Sequence, residues 1–401
     1  MKMGGTKKTL PENDRVAFDF TRRTFIKAAG LAAAWGLAQR ASAEAPKPIQ
    51  GFEQQPTDPQ AAKGWQPFSD RKLRVGIAGY GVCQMGAVFD FQQHPNVEVA
   101  AVTDLLPDRC AALAEACRCA KTYPSCEEML KDDRLEAVFV ATDAPSHARL
   151  CIAALERGKH VASAVPAVFG SLEDADKLLA AVKQSGRTYM MFETSYFHPE
   201  VHTWRQQYRA GVLGKLVYTE GEYYHYMPVP IDSYKGWRVG LPPQWYPTHS
   251  NAYYVGVTGG SFTEVSCLGM PSILGHLQPA NNPYHNAFGT EIALFRTSEG
   301  GMARMAVSWD TPTNEGETGR IRAPKAVGPL SPRPPLPPAV QAGGHGGSHG
   351  YLMSEFVDAI LRDRLPLVDV TKALAMTAGG IVAHQSALKG GELLKIPQYA
   401  L

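Results

Sequence analysis

From Leu73 onward, short apolar runs alternate with longer stretches of helical spacing. The runs are Leu73–Ala78, Val97–Thr103, Ala137–Thr142, His160–Ala164 and Thr188–Phe192. Between them, Ala111–Arg118, Ser146–Arg157 and Leu172–Gln184 place apolar residues at the spacing of one helix face. A strand with no polar face cannot lie against water, so this order predicts βαβ units around a parallel sheet buried on both sides. After about Glu193 the alternation stops. Leu216–Met227, Glu291–Arg296 and Met302–Trp309 are strand-like and rich in aromatics, which predicts a second, α+β domain with a large open, mainly antiparallel sheet. Residues 311–350 are dense in Pro and Gly and read as a long loop. Helical patterning returns in Tyr351–Leu361 and Val370–Leu388. The expected architecture is an α/β domain at 71–195, a sheet domain at 196–370, and a C-terminal helix and tail at 371–401 packing back on the first domain.

The first apolar run ends in Gly79-Tyr80-Gly81, followed by Val82, Cys83, Gln84, Met85 and Gly86. Glycines at a strand-to-helix turn let backbone N–H groups approach a pyrophosphate. The third glycine of the dinucleotide fingerprint would fall at Gln84, and Gly86 comes two residues late. The second run is closed by Asp104, at the distance where the fingerprint places an acid on the adenosine ribose. A carboxylate there accepts from both ribose hydroxyls and repels a 2′-phosphate, which favours NAD over NADP. The first domain is therefore expected to be a Rossmann domain.

Of the 401 residues, 44% are hydrophobic and 19% charged, an ordinary globular balance, and the net charge of +2 gives no reason to expect a nucleic-acid partner. Thr21-Arg22-Arg23-Thr24-Phe25-Ile26-Lys27, the apolar stretch Ala28–Ala38 and Ala41-Ser42-Ala43 have the order of a twin-arginine export signal with a cleavage site. The stretch is too short for a stable membrane anchor. Residues 1–43 are thus expected to be a signal peptide to the periplasm, and the proline-punctuated residues 44–70 a linker or arm. The seven scattered cysteines read as buried apolar residues, because folding before export argues against disulfides.

The stretch Thr142-Asp143-Ala144-Pro145-Ser146-His147, with Ala154-Leu155-Glu156-Arg157-Gly158-Lys159-His160-Val161, resembles the Gfo/Idh/MocA family, and the resemblance runs on to Ile381–Ala387. It implies nicotinamide at the junction of the two domains, with Thr142, Asp143, His147, Ala164 and Pro166 joining the cofactor site. The family usually carries Glu-Lys-Pro where this chain has Ala164-Val165-Pro166, so the lysine that polarises the substrate oxygen is missing. The segments Met190-Met191-Phe192-Glu193, Glu220–His225 and Tyr246-Pro247-Thr248-His249 resemble the NAD-dependent α-N-acetylgalactosaminidase-type glycosidases. That likeness implies an active-site role for His249, and it aligns a family tyrosine with Phe197, next to Tyr196.

The candidate chemistry centres on His249, whose imidazole titrates near working pH and suits a base for a sugar hydroxyl. Glu193 and Tyr196 follow the last strand of the parallel sheet, where such folds bind ligands, and His225 sits on an aromatic strand. Tyr224, Trp245 and Tyr246 offer ring faces for a carbohydrate, with His349 in a glycine-rich segment that suits closure over substrate. His345 and His349 find no third ligand in the sequence, so no metal is expected. Three functions stay open: a sugar oxidoreductase, a redox-neutral glycosidase, and a non-catalytic sugar- or nucleotide-binding protein. A homo-oligomer through the sheet domain is expected for each.

Overall fold

The computed structural model describes Asp58 and residues 60–313 and 316–401; the export-signal segment lies outside the described residues. The first sheet is built from β1 (Leu73–Ala78), β2 (Val97–Thr103), β3 (Thr122–Tyr123), β4 (Ala137–Val140), β5 (His160–Ser163) and β6 (Tyr189–Met191). Its order is β3-β2-β1-β4-β5-β6, with every pair parallel. β4 is buried at every position and β1 at all but Arg74, as strands covered on both faces must be. Around it run α1 (Met85–Val88), α2 (Pro107–Ala116), α3 (Cys126–Met129), α4 (His147–Glu156) and α5 (Leu172–Ser185). The chain order reverses between β1 and β4, so the loops leaving these two strands part there and open a crevice.

The second half contributes α6 (Pro199–Arg209), β7 (Tyr218–Tyr224), α7 (Thr248–Thr258), β8 (Phe262–Pro271), β9 (Phe288–Thr297), β10 (Met302–Ser308), β11 (Gly316–Arg322), α8 (His349–Leu361), α9 (Val370–Leu388) and β12 (Leu394–Lys395). Its sheet has the order β11-β7-β10-β9-β8-β12; the β7–β10 pair is parallel and the others antiparallel. β11 corrects the expectation of a structureless stretch from 311 to 350. Its Gly and Arg content hid a strand held by full pairing along β7. α9 packs against β8 and α7 of the second half and against α5 of the first.

One face of this sheet carries α7, which is buried at every position from Thr248 to Val257. Close approach explains how. Gly221 of β7 pairs with Gly319 of β11. A Cβ on Gly221 would stand 2.0 Å from the Ser250 carbonyl oxygen, and one on Gly319 2.3 Å from the Tyr253 ring. The paired glycines make a slot into which the helix sinks. The opposite face leaves Leu268, Met270, Ile292, Leu294 and Met302 exposed. Among the described residues, no helix is long and apolar enough to cross a membrane.

Candidate active site

The crevice at the β1/β4 reversal is lined by Gly79, Gly81, Val82, Cys83, Gln84, Asp104, Thr142 and Asp143 from the first half. Tyr234, Trp237 and Arg238 close it from the second. Gly79 has φ +104, and a Cβ there would lie 2.4 Å from the Ala141 carbonyl oxygen, so only glycine fits where the two loops cross. At Gly81 a Cβ would meet nothing within 4 Å, which leaves backbone open to a close ligand. Asp104 braces the turn: Oδ2 accepts from the Tyr80 N–H (2.7 Å) and Oδ1 from the Leu106 N–H (2.9 Å). The turn and the acid on the crevice wall fit an adenine dinucleotide.

Beyond the crevice lies a buried cluster of acids and imidazoles. Glu193, just past β6, is wholly buried and its Oε1 stands 2.9 Å from Nδ1 of His249, in the first turn of α7. Glu317 of β11 approaches the same Nδ1 to 3.6 Å, with a side chain 5% exposed. The Ser195 N–H donates to Glu193 (2.9 Å), and the Ser195 hydroxyl donates to Glu317 (2.6 Å). The Thr194 hydroxyl lies 3.1 Å from the His249 Nδ1 and also contacts the Glu317 carboxylate. Nε2 of His198 stands 3.2 Å from Glu317.

Burial alone would lower the His249 pKa, but the charges of Glu193 and Glu317 outweigh it and the net shift is upward. His198 behaves alike: burial opposes the charged form, yet Glu200 and Glu317 hold its pKa up at about 10. Burial would raise the Glu317 pKa, but His249, His198 and His345 hold it well below the usual carboxylate range. Tyr223 and Tyr246 pack on His249, ring centres 4.5 and 5.6 Å away. Arg238 lies over Trp237 (4.3 Å) and reaches Sγ of Cys83 at 3.9 Å, so it joins the aromatic wall to the glycine turn.

Residues 73–193 match a family model described as an oxidoreductase family with an NAD-binding Rossmann fold, GFO_IDH_MocA. Over these residues the chain is similar to the Gfo/Idh/MocA family. A glycosyl hydrolase family 109 protein of Bacteroides fragilis is 30% identical over 162 residues, which span 38% of this chain and 35% of that relative. A family 109 protein of Solibacter usitatus is 23% identical, covering 82% of this chain and 88% of its own length. The fold is similar to that of scyllo-inositol dehydrogenase from Lactobacillus casei, solved with NAD(H) and scyllo-inositol, at 15% identity and a TM-score of 0.63. That likeness covers 81% of this chain and 99% of that one.

Within the first half, Tyr80, His147, Ala164 and Pro166 are not among the residues that line the crevice. His147 is a brace, with Nδ1 2.9 Å from the Pro166 carbonyl oxygen and Nε2 3.2 Å from that of Thr142. Of the residues expected at the chemistry, the structure brings Glu193, His249 and Tyr246 together. Tyr196 packs elsewhere, beneath the Arg205 guanidinium (4.5 Å) and against Gly256 near the far end of α7. Phe197 is buried in the core. His225 bonds through Nδ1 to the Tyr223 hydroxyl (2.8 Å), and burial with the nearby Arg238 and His249 lowers its pKa to about 4. Tyr224 alternates to the other face of β7 from Tyr223, away from His249.

Trp245 packs among Phe169, Tyr284 and His384, ring centres 5.3–5.7 Å apart. His349 meets His345 Nδ1 at 2.9 Å and packs on Phe89, while His345 stacks toward His249 at 6.2 Å. Sequence reasoning missed Glu317, Thr194, Ser195, His198 and Arg238. Glu317 carried no local signal. Thr194 and Ser195 stood beside Glu193, and their place after a parallel strand could have flagged them.

Proposed function

We propose that the chain binds NAD in the β1/β4 crevice and works on a sugar or sugar derivative between that crevice and His249. The proposed reaction is hydride transfer at a carbinol carbon. The observation that carries this reading is the buried Glu193–His249 contact of 2.9 Å, linked through Tyr246 and Arg238 to a cleft walled by the glycine turn and Asp104. NAD bound there supplies the hydride acceptor. Glu193 fixes the imidazole through Nδ1 and turns Nε2 toward the substrate hydroxyl, so His249 takes the proton as the carbinol is oxidised. Glu317 stabilises the imidazolium that results. The aromatic wall of Tyr246, Trp237 and Tyr223 excludes water and offers ring faces to a pyranose.

A second reading, redox-neutral glycoside hydrolysis, is favoured by the family 109 relative matched over 82% of this chain and by Val165 at the usual lysine position. In that reading His249 serves oxidation, elimination, water addition and reduction in one cycle. Incubation with aryl glycosides without added NAD and with free sugars plus NAD separates the two, through aglycone release and NADH formation. Activity surviving in His249→Ala removes His249 from either mechanism. NADH binding with silence in both assays leaves the non-catalytic binder. Export by the twin-arginine route rests on residues 21–43, and self-association rests on the apolar open face of the second sheet.

A further inference from the structure

Glu193, His249 and Glu317 arrive from three separate elements, the loop after β6, α7 and β11, and each offers a donor atom within 4.8 Å of the others. Two buried carboxylates converge on one imidazole nitrogen, at 2.9 and 3.6 Å. Glu193 is wholly buried, and although Oε1 contacts His249 Nδ1 and the Ser195 N–H, its Oε2 is buried with no hydrogen-bond partner. A carboxylate oxygen shut away from water with no donor has lost the hydrogen bonds it had in solvent.

We propose that Glu193, His249 and Glu317 form a binding site for one divalent transition-metal ion. Two carboxylates and a neutral imidazole carry a charge of −2, which a single divalent ion balances. The mixed oxygen and nitrogen donors suit Mn2+, Fe2+, Co2+ or Zn2+ and are poor for Cu+, which prefers sulfur. The donors are held in advance. Ser195 fixes both carboxylates, and the Thr194 hydroxyl spans Glu317 and His249. Such outer contacts orient ligands at metal sites. His198 Nε2 at 3.2 Å and His345 Nε2 at 3.9 Å from Glu317 place further nitrogen atoms around the same carboxylate.

This deepens the reading of the centre and rests on it for the substrate alone. With the ion held, His249 would ligate it through Nδ1 and keep its proton on Nε2, so the ion would acidify a bound sugar hydroxyl in place of His249 acting as base. The rival arrangement is charge balance by protons on His249 and His198.

The full chain, stripped with a chelator and dialysed, is titrated with Co2+ alone and followed by its visible d–d absorption. Saturation at one Co2+ per chain is expected, with binding weakened about tenfold or more in Glu317→Gln and in His249→Gln. Absence of saturable binding by the parent chain overturns the proposal whatever the variants do, and so does unchanged affinity in both variants. NADH binding, measured in parallel by tryptophan quenching, separates the two ideas. Co2+ bound without NADH defeats the cofactor reading and supports the metal site; NADH bound without Co2+ defeats the metal site.

Discussion

Gly86 gives the most direct test of how the cofactor turn is held. A Cβ at this position would lie 2.4 Å from the Gly79 carbonyl oxygen, 3.0 Å from Cδ1 of Leu113 and 3.2 Å from Cγ2 of Ile77. The two side chains can rotate away, but the oxygen belongs to the turn itself. Carbon–oxygen contacts settle at about 3.3–3.6 Å, so in Gly86→Ala the turn and α1 must separate by about 1 Å. Strain of this kind in a packed region costs about 1–3 kcal/mol. The moved groups are those expected to meet a pyrophosphate, so NADH affinity should also fall about tenfold, equivalent to about 1.4 kcal/mol. Thermal melts and calorimetric NADH titration of parent and variant read both quantities. Gly81→Ala is the companion: a Cβ there meets nothing within 4 Å. Its stability should stay within about 0.5 kcal/mol of the parent, with any loss confined to NADH binding. A Gly86→Ala protein with the parent's melting temperature and NADH affinity would refute the close-packing account of this turn.

Asp104→Ala removes the acceptor for the Tyr80 and Leu106 N–H groups, so it should lower stability by about 1–3 kcal/mol. Its NADH affinity should drop while NADPH affinity holds, and an unchanged ratio of the two counts against a ribose role. Gly319→Ala drives a methyl into the Tyr253 ring, 2.3 Å away, and lifts α7 from the sheet. Turnover should fall more than tenfold with NADH affinity kept; equal turnover would separate the slot from the chemistry. His94 is buried, its Nδ1 accepts from the Asn96 N–H (3.1 Å), and burial pushes its pKa down to about 4. A depressed histidine pKa contributes stability that is complete above about pH 6.5 and is lost as the pH falls through 4, up to about 3 kcal/mol. Melts of His94→Gln between pH 7 and 4 should therefore slope less than the parent's; parallel curves would rule this out.

The parallel sheet was legible because its strands are continuous apolar runs. Leu73–Ala78 and Val97–Thr103 stand as strands over the same residues in sequence and structure. The second half was less so, for physical reasons. α7 is buried all round, so it shows no apolar stripe against a polar one, and its Thr, His, Ser and Asn residues resemble a loop. β11 has two glycines and alternates weakly, since it is an edge strand with partly exposed positions. Glu317 therefore stayed hidden, and with it the partner that completes the cluster. Gln84 hid the fingerprint differently. It holds a left-handed conformation, φ 50, that glycine more often fills, so the turn survives without the expected letter.

The slot formed by Gly221 and Gly319 bears on how this molecule can change over evolutionary time. His249 rides on a helix sunk into a sheet, and any shift of that helix meets backbone on one side and core on the other. The cleft wall at Tyr234, Trp237 and Arg238 belongs instead to the loop between β7 and α7. New preferences for the molecule admitted can be tried by altering that loop, while the acids and imidazoles behind it keep their places.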